Sequence, residues 1–86
     1  MPKAKPTEDD LLDDAEIPMS ELGYAEFCAG MREAGATLKA RKAKALRRRK
    51  DFDPLRDEVR ALELEGEAQA DASIAAAIRA KLPSVH

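Results

Sequence analysis

Tryptophan is absent from this 86-residue chain, tyrosine, histidine and cysteine occur once each, and phenylalanine twice. So few large side chains exclude a thick core, because a small chain already buries little apolar surface. The lone Cys28 excludes an intrachain disulfide and fits a reducing compartment; on the apolar line of a helix it reads as a small buried residue. The lone histidine, His86, is the last residue, in a segment expected to fray, so no catalytic role is expected of it. No glycine-rich phosphate loop, metal-spaced Cys/His set, nucleophile elbow or nucleotide fingerprint appears. No enzyme is expected, and no cofactor, metal or small-molecule substrate. The longest purely apolar run, Ile74 to Ile78, is far shorter than the ~20 residues of a membrane span. Residues 1–6 lead into acid rather than into an apolar stretch, so a cytoplasmic protein is expected.

What the chain has instead is alanine and charge. Seventeen alanines stand against nine leucines, three isoleucines and two valines, which is the composition of thin-cored helices. Charge is blocked along the chain: residues 1–21 carry -5, residues 37–50 carry +8 and residues 51–71 carry -6. The positive block is Lys39, Arg41, Lys42, Lys44, Arg47, Arg48, Arg49 and Lys50, with no Asp or Glu among them. Such alternation favours pairing of the blocks with one another or with a charged partner.

The expected fold is all-α, an antiparallel helical hairpin of coiled-coil character. An acidic, partly disordered arm covers residues 1–19, the hairpin residues 20–82, and a frayed end residues 83–86. Within the arm, Thr7 and Asp10 have capping-box spacing before a short helix at 8–16, ended by Ile17-Pro18. The carboxylates Asp9, Asp10, Asp13 and Asp14 read as a solvated face. Ser20 is the expected N-cap of a long helix over about 20–50, with Met19 and Tyr24 spaced as a hydrophobic staple. Gly30 and Gly35 weaken that helix and invite a bend. Asp53-Pro54 then punctuates the chain and starts a second helix over about 54–82, stopped by Pro83.

Large apolar residues recur at helical spacing in both helices, which predicts a helix–helix interface of Tyr24, Phe27, Met31, Leu38, Leu46, Val59, Leu62, Ile74 and Ile78. Folding about Phe52 sets Ala45 against Val59, Leu38 against Gly66 and Gly35 against Ala70, mostly large against small. Two helices cannot cover their own seams, so the short third helix or dimerisation must complete the core.

Function follows from this surface. The first expectation is a non-catalytic binding or regulatory module acting through protein–protein contact, as an adaptor, assembly factor or inhibitor. The second is a nucleic-acid-binding accessory protein that sets residues 39–50 on phosphates. No Asn, Gln, Ser or aromatic residue interrupts that block to read bases. The third is an antitoxin-like inhibitor that folds on its target. Small size, charge blocks and an Ala-rich hairpin are shared with bacterial antitoxins, phage accessory proteins and plasmid-encoded regulators. A ribbon-helix-helix antitoxin would need an alternating N-terminal strand, which is absent here. Across the hairpin, Asp57, Glu58, Glu63 and Glu65 are expected to neutralise part of the basic block, with the acidic arm as a further competitor.

Overall fold

A computed structural model describes residues 7–13 and 17–82, all of whose regular structure is helical. Helix α1 spans Glu8–Asp13, a 3-10 turn Met19–Glu21, helix α2 Leu22–Arg47 and helix α3 Arg56–Ala80. The two long helices form the expected hairpin, and each is close to 40 Å long at about 1.5 Å per residue. The radius of gyration is 16.9 Å. A compact chain of this length would have one near 12 Å. The molecule is therefore a single layer, mostly two helices wide.

The expected caps separate by their chemistry. At α1 the capping box is reciprocal: Thr7 N donates to Asp10 Oδ2 at 3.0 Å and Asp10 N to Thr7 Oγ1 at 3.3 Å. At α3, Asp53 Oδ1 accepts from the amides of Leu55 (2.9 Å) and Arg56 (3.3 Å). Asp57 Oδ2 reaches back to Asp53 N at 2.9 Å, so the turn is closed from both sides. The Ser20 cap does not form. Glu21 N instead closes a 3-10 turn on Pro18 O at 2.9 Å, which absorbs Ser20 and leaves the start of α2 without a side-chain cap. Met19 points to solvent rather than stapling Tyr24. Helix α2 runs unbroken through Gly30 and Gly35 and ends at Arg47, so Arg48 to Lys50 belong to the turn. Residues 14–16, the end of the expected first helix, and 83–86 lie outside the described residues.

The seam differs from the expected one. Ala25, Cys28, Ala29 and Ala43 are the buried residues of α2; those of α3 are Asp57, Ala61, Leu64, Ala68, Asp71, Ala75 and Ile78. The α3 set steps by four and three in strict alternation, a heptad seam. Alanine recurs every seven residues in both helices, at 29, 36 and 43 and at 61, 68 and 75. Small side chains let the axes approach toward the near end of the usual 8–10 Å range. The hairpin therefore closes on its alanines.

Leu64 and Ile78 join that closure, but most of the other bulky residues of the two long helices do not. Phe27, Met31, Leu38, Leu55, Val59 and Leu62 remain 54–82% exposed, and Tyr24 also faces outward. Of the nine residues expected at the helix–helix interface, Ile78 is buried in the seam, while Ile74 and Leu46 pack against its edge. Tyr24, Phe27, Met31, Leu38, Val59 and Leu62 do not join the seam, and this corrects the expected face. One residue step turns a helix by about 100°, so a line displaced by one or two positions lies on another side. The fold point near Phe52 was placed well: Ala43 and Ala61 share a core cluster, and so do Ala29 and Ala75.

Two apolar clusters result. Near the turn, Ala43, Ala61 and Leu64 pack with Leu46. At the open end, Leu11 and Ile17 cover Ala25, Cys28, Ala29, Ala75 and Ile78. A six-residue helix is marginal alone. It is held here by Leu11, which is fully buried, and by Lys81, whose ammonium donates to the carbonyls of Leu11 (3.0 Å) and Leu12. Those carbonyls stand in the last turn of α1, where orphan acceptors need partners.

Candidate interaction surface

Between the two apolar clusters the heptad seam carries charge. Asp71, 5% exposed, accepts from Arg32 Nη1 at 2.6 Å and from Lys39 Nζ at 2.8 Å. Arg32 also forks onto Glu8, with Nε–Oε2 at 2.9 Å and Nη2–Oε1 at 2.5 Å, so one guanidinium joins all three helices. Lys39 and Arg32 hold the Asp71 carboxyl below the usual range, and Arg32 does the same for Glu8. The charges of Arg32 and Lys39 remain about a third exposed. A polar layer in an apolar heptad seam fixes register at some expense of stability. Lys39 therefore belongs to the seam rather than to a free basic face.

A second fork lies near the turn. Arg47 donates through Nε and Nη2 to Glu58 at 3.1 and 2.8 Å, and through Nη1 and Nη2 to Glu65, both at 2.8 Å. Those bonds hold the Glu58 and Glu65 carboxyls low. Arg49 pairs with Asp51 inside the turn. Arg79 forks onto Glu33 near the open end, at 2.8 and 2.6 Å.

Neutralisation of the basic block is consequently narrower than the sequence suggests. Glu58 and Glu65 both serve Arg47, Asp57 pairs with Arg56, and Glu63 pairs with Arg60. Helix α1, within the described part of the acidic arm, sits at the open end, where Glu8 reaches Arg32 and not the block. Among the described residues, Arg41, Lys42, Lys44, Arg48 and Lys50 make no ion pair, and all five are exposed. Arg41, Lys44 and Arg48 follow Thr37 at steps of four, three and four, so they form one file along the end of α2 and into the turn.

Beside that file runs a shallow groove of about 670 Å³ between α2 and α3, lined by Ala36, Thr37 and Ala40 on one wall and Leu62, Gly66 and Gln69 on the other. Glu65 also lines it, but that carboxylate is engaged by Arg47. The unpaired charge along the groove is positive. The large apolar side chain of its lining is Leu62, which is exposed on α3.

Sequence reasoning missed Arg32, Asp71, Glu8 and the groove. The seven-residue alanine repeat would have found Arg32 and Asp71, since it puts them and Lys39 on the same seam as Ala25, Leu46, Leu64 and Ile78. Cys28 is buried beneath α1, as expected of a small core residue. His86 lies outside the described residues. No protein-family model, curated protein or solved structure matches this chain.

Proposed function

We propose that this chain is a non-catalytic binding module that docks an acidic, amphipathic helix of a partner protein in the groove between α2 and α3. One observation carries the reading: between α2 and α3 lies a groove of small residues with the exposed Leu62 at its edge and unpaired cations along its α2 side. A helix laid in a groove buries its apolar face and uses anchors at spacings of three and four. Ala36, Ala40 and Gly66 give such a helix a close approach, and Leu62 supplies an apolar contact. Arg41, Lys44 and Arg48 select acidic side chains on its flank, which favours on-rate and specificity more than raw affinity.

A second reading has its own support. The same file of three cations extends about 10 Å from α2 into the turn and could track a phosphate backbone. The two readings separate by mutation and salt. Capture from the native host should be lost both with Leu62→Glu and with charge reversal of Arg41, Lys44 and Arg48. Micromolar binding of DNA or RNA with a steep salt dependence, unaffected by Leu62→Glu, would replace the protein reading by the nucleic-acid one.

A further inference from the structure

The outer strip of α2 is a different surface from the groove. Tyr24, Phe27, Met31 and Leu38 follow steps of three, four and seven and so share one side of the helix. At about 100° per residue that side lies roughly half a turn away from Ala36 and Ala40, which line the groove. Phe27, Met31 and Leu38 each leave more than half their surface in solvent. Neither α1 nor α3 covers them.

We infer that this strip is the interface of a homodimer in which α2 pairs antiparallel with α2 of a second copy, on a two-fold axis at Met31. The strip is self-complementary in that arrangement. Tyr24 and Leu38 stand seven residues to either side of Met31, so each meets the other across the axis. Phe27 meets Ala34 and Gly35 of the second copy, a large side chain over small ones. Met31 meets its own counterpart, and its flexible thioether suits contact across a symmetry axis.

Charge chooses the direction. A parallel pair would lay the two basic blocks side by side. The antiparallel pair separates their centres by roughly 40 Å, several times the ~8 Å Debye length at physiological salt. It also brings the C-terminal half of α2 alongside the start of the other α2. There Lys42, exposed and unpaired on the strip's side of α2, falls beside Glu21 of the second copy, the last of the acids that precede the helix. Exposed aromatics of this kind carry about 150–250 Å² each when buried, so the strip offers on the order of 800 Å² in total over both copies. That is below the ~1,200 Å² of most stable complexes and fits a pair that dissociates at micromolar concentration. The groove stays open in the dimer, so the dimer and the partner site fail independently.

Sedimentation equilibrium from about 1 µM to 1 mM, with crosslinking in a Cys28→Ala background, tests the arrangement. The expected result is a reversible dimer in which Met31→Cys crosslinks to itself. Tyr24→Cys should crosslink to Leu38→Cys when the two variants are mixed, and neither should do so alone. Met31→Glu should weaken the association tenfold or more with helicity unchanged, and Leu38→Glu, on the same strip, should do likewise. A monomer throughout the range overturns the inference. So does self-crosslinking of Tyr24→Cys, which marks a parallel pair, or a dimer indifferent to both glutamates.

Discussion

A Cβ built on Gly35 would stand 3.2 Å from Oδ2 of Asp71, the oxygen that accepts from Lys39. The glycine thus makes room for the one carboxylate in the seam that joins two cations. It sits between Arg32 and Lys39 on α2, so the missing side chain, the anion and both partners belong to one arrangement.

Gly30 and Gly35 should therefore respond differently to alanine. Gly30 has open space where its Cβ would be, so Gly30→Ala should stabilise the fold by about 0.5–1 kcal/mol through helix propensity alone. Gly35→Ala gains the same propensity but pushes the Asp71 carboxylate off Lys39, and its net gain should be smaller or negative. Urea midpoints compare the two directly. Equal gains would show that Asp71 is not held at that position.

Stability should fall in acid, with a sign fixed by the carboxylates. Asp71, Glu8, Glu58 and Glu65 are all held below their ordinary values of 3.8 for Asp and 4.5 for Glu. The unfolded chain then takes up protons first as pH drops, so their contribution is complete above about pH 5 and is lost progressively below it. Asp71→Asn should lower the midpoint at pH 7 and flatten the acid limb. An acid limb unchanged by Asp71→Asn would place the titrating groups elsewhere.

The charged layer should trade stability for register. Asp71→Leu alone leaves Lys39 without its anion and Arg32 with Glu8 only, and should destabilise the fold by about 1–3 kcal/mol. Replacing Arg32, Lys39 and Asp71 together by leucine should restore or exceed the original stability. The same triple variant should lose its single oligomeric state, because nothing then opposes shifted pairings of the heptads. Thermal melts and light scattering read the two effects separately. A triple variant that is no more stable than Asp71→Leu would contradict this.

Docking of α1 should be visible at Cys28. The thiol lies beneath Leu11 and Ile17, and α1 is tied down by Lys81 and Arg32. Lys81→Ala removes a charged donor from two carbonyls, a change of roughly 1.5–3 kcal/mol. Thiol labelling of Cys28 should accelerate about tenfold or more while α2 and α3 keep their helicity. An unchanged labelling rate would mean that Lys81 does not hold the arm.

Element type and punctuation were legible in the sequence because they rest on local chemistry. Thr7 with Asp10, and Asp53 with Pro54, act within one turn of themselves, and both caps form. The fold point at Phe52 was legible for the same reason. The face was not. Apolar size suggests Phe27, Met31 and Leu62 for the seam, but a two-helix seam is decided by how closely backbones approach, and alanine wins there. The signal was present as the repeat Ala29–Ala36–Ala43 and Ala61–Ala68–Ala75, a pattern of small residues that a search for bulk passes over. The basic block illustrates the same limit. Its composition is plain, yet which cations are paired depends on rotation about the helix axis. Lys39 and Arg47 turn inward to Asp71, Glu58 and Glu65, while Arg41, Lys44 and Arg48 turn outward.

Closure on alanine, with the bulky residues left for contacts outside the hairpin, is tested most directly by paired cysteines in a Cys28→Ala background. Ala43→Cys with Ala61→Cys joins two buried members of one core cluster, and should oxidise readily to an intramolecular disulfide in a helical monomer unit. Ala45→Cys with Val59→Cys joins two exposed positions and should not. The reverse pattern, with the second pair closing and the first remaining reduced, would put the bulky residues in the seam and remove the basis for both proposed surfaces.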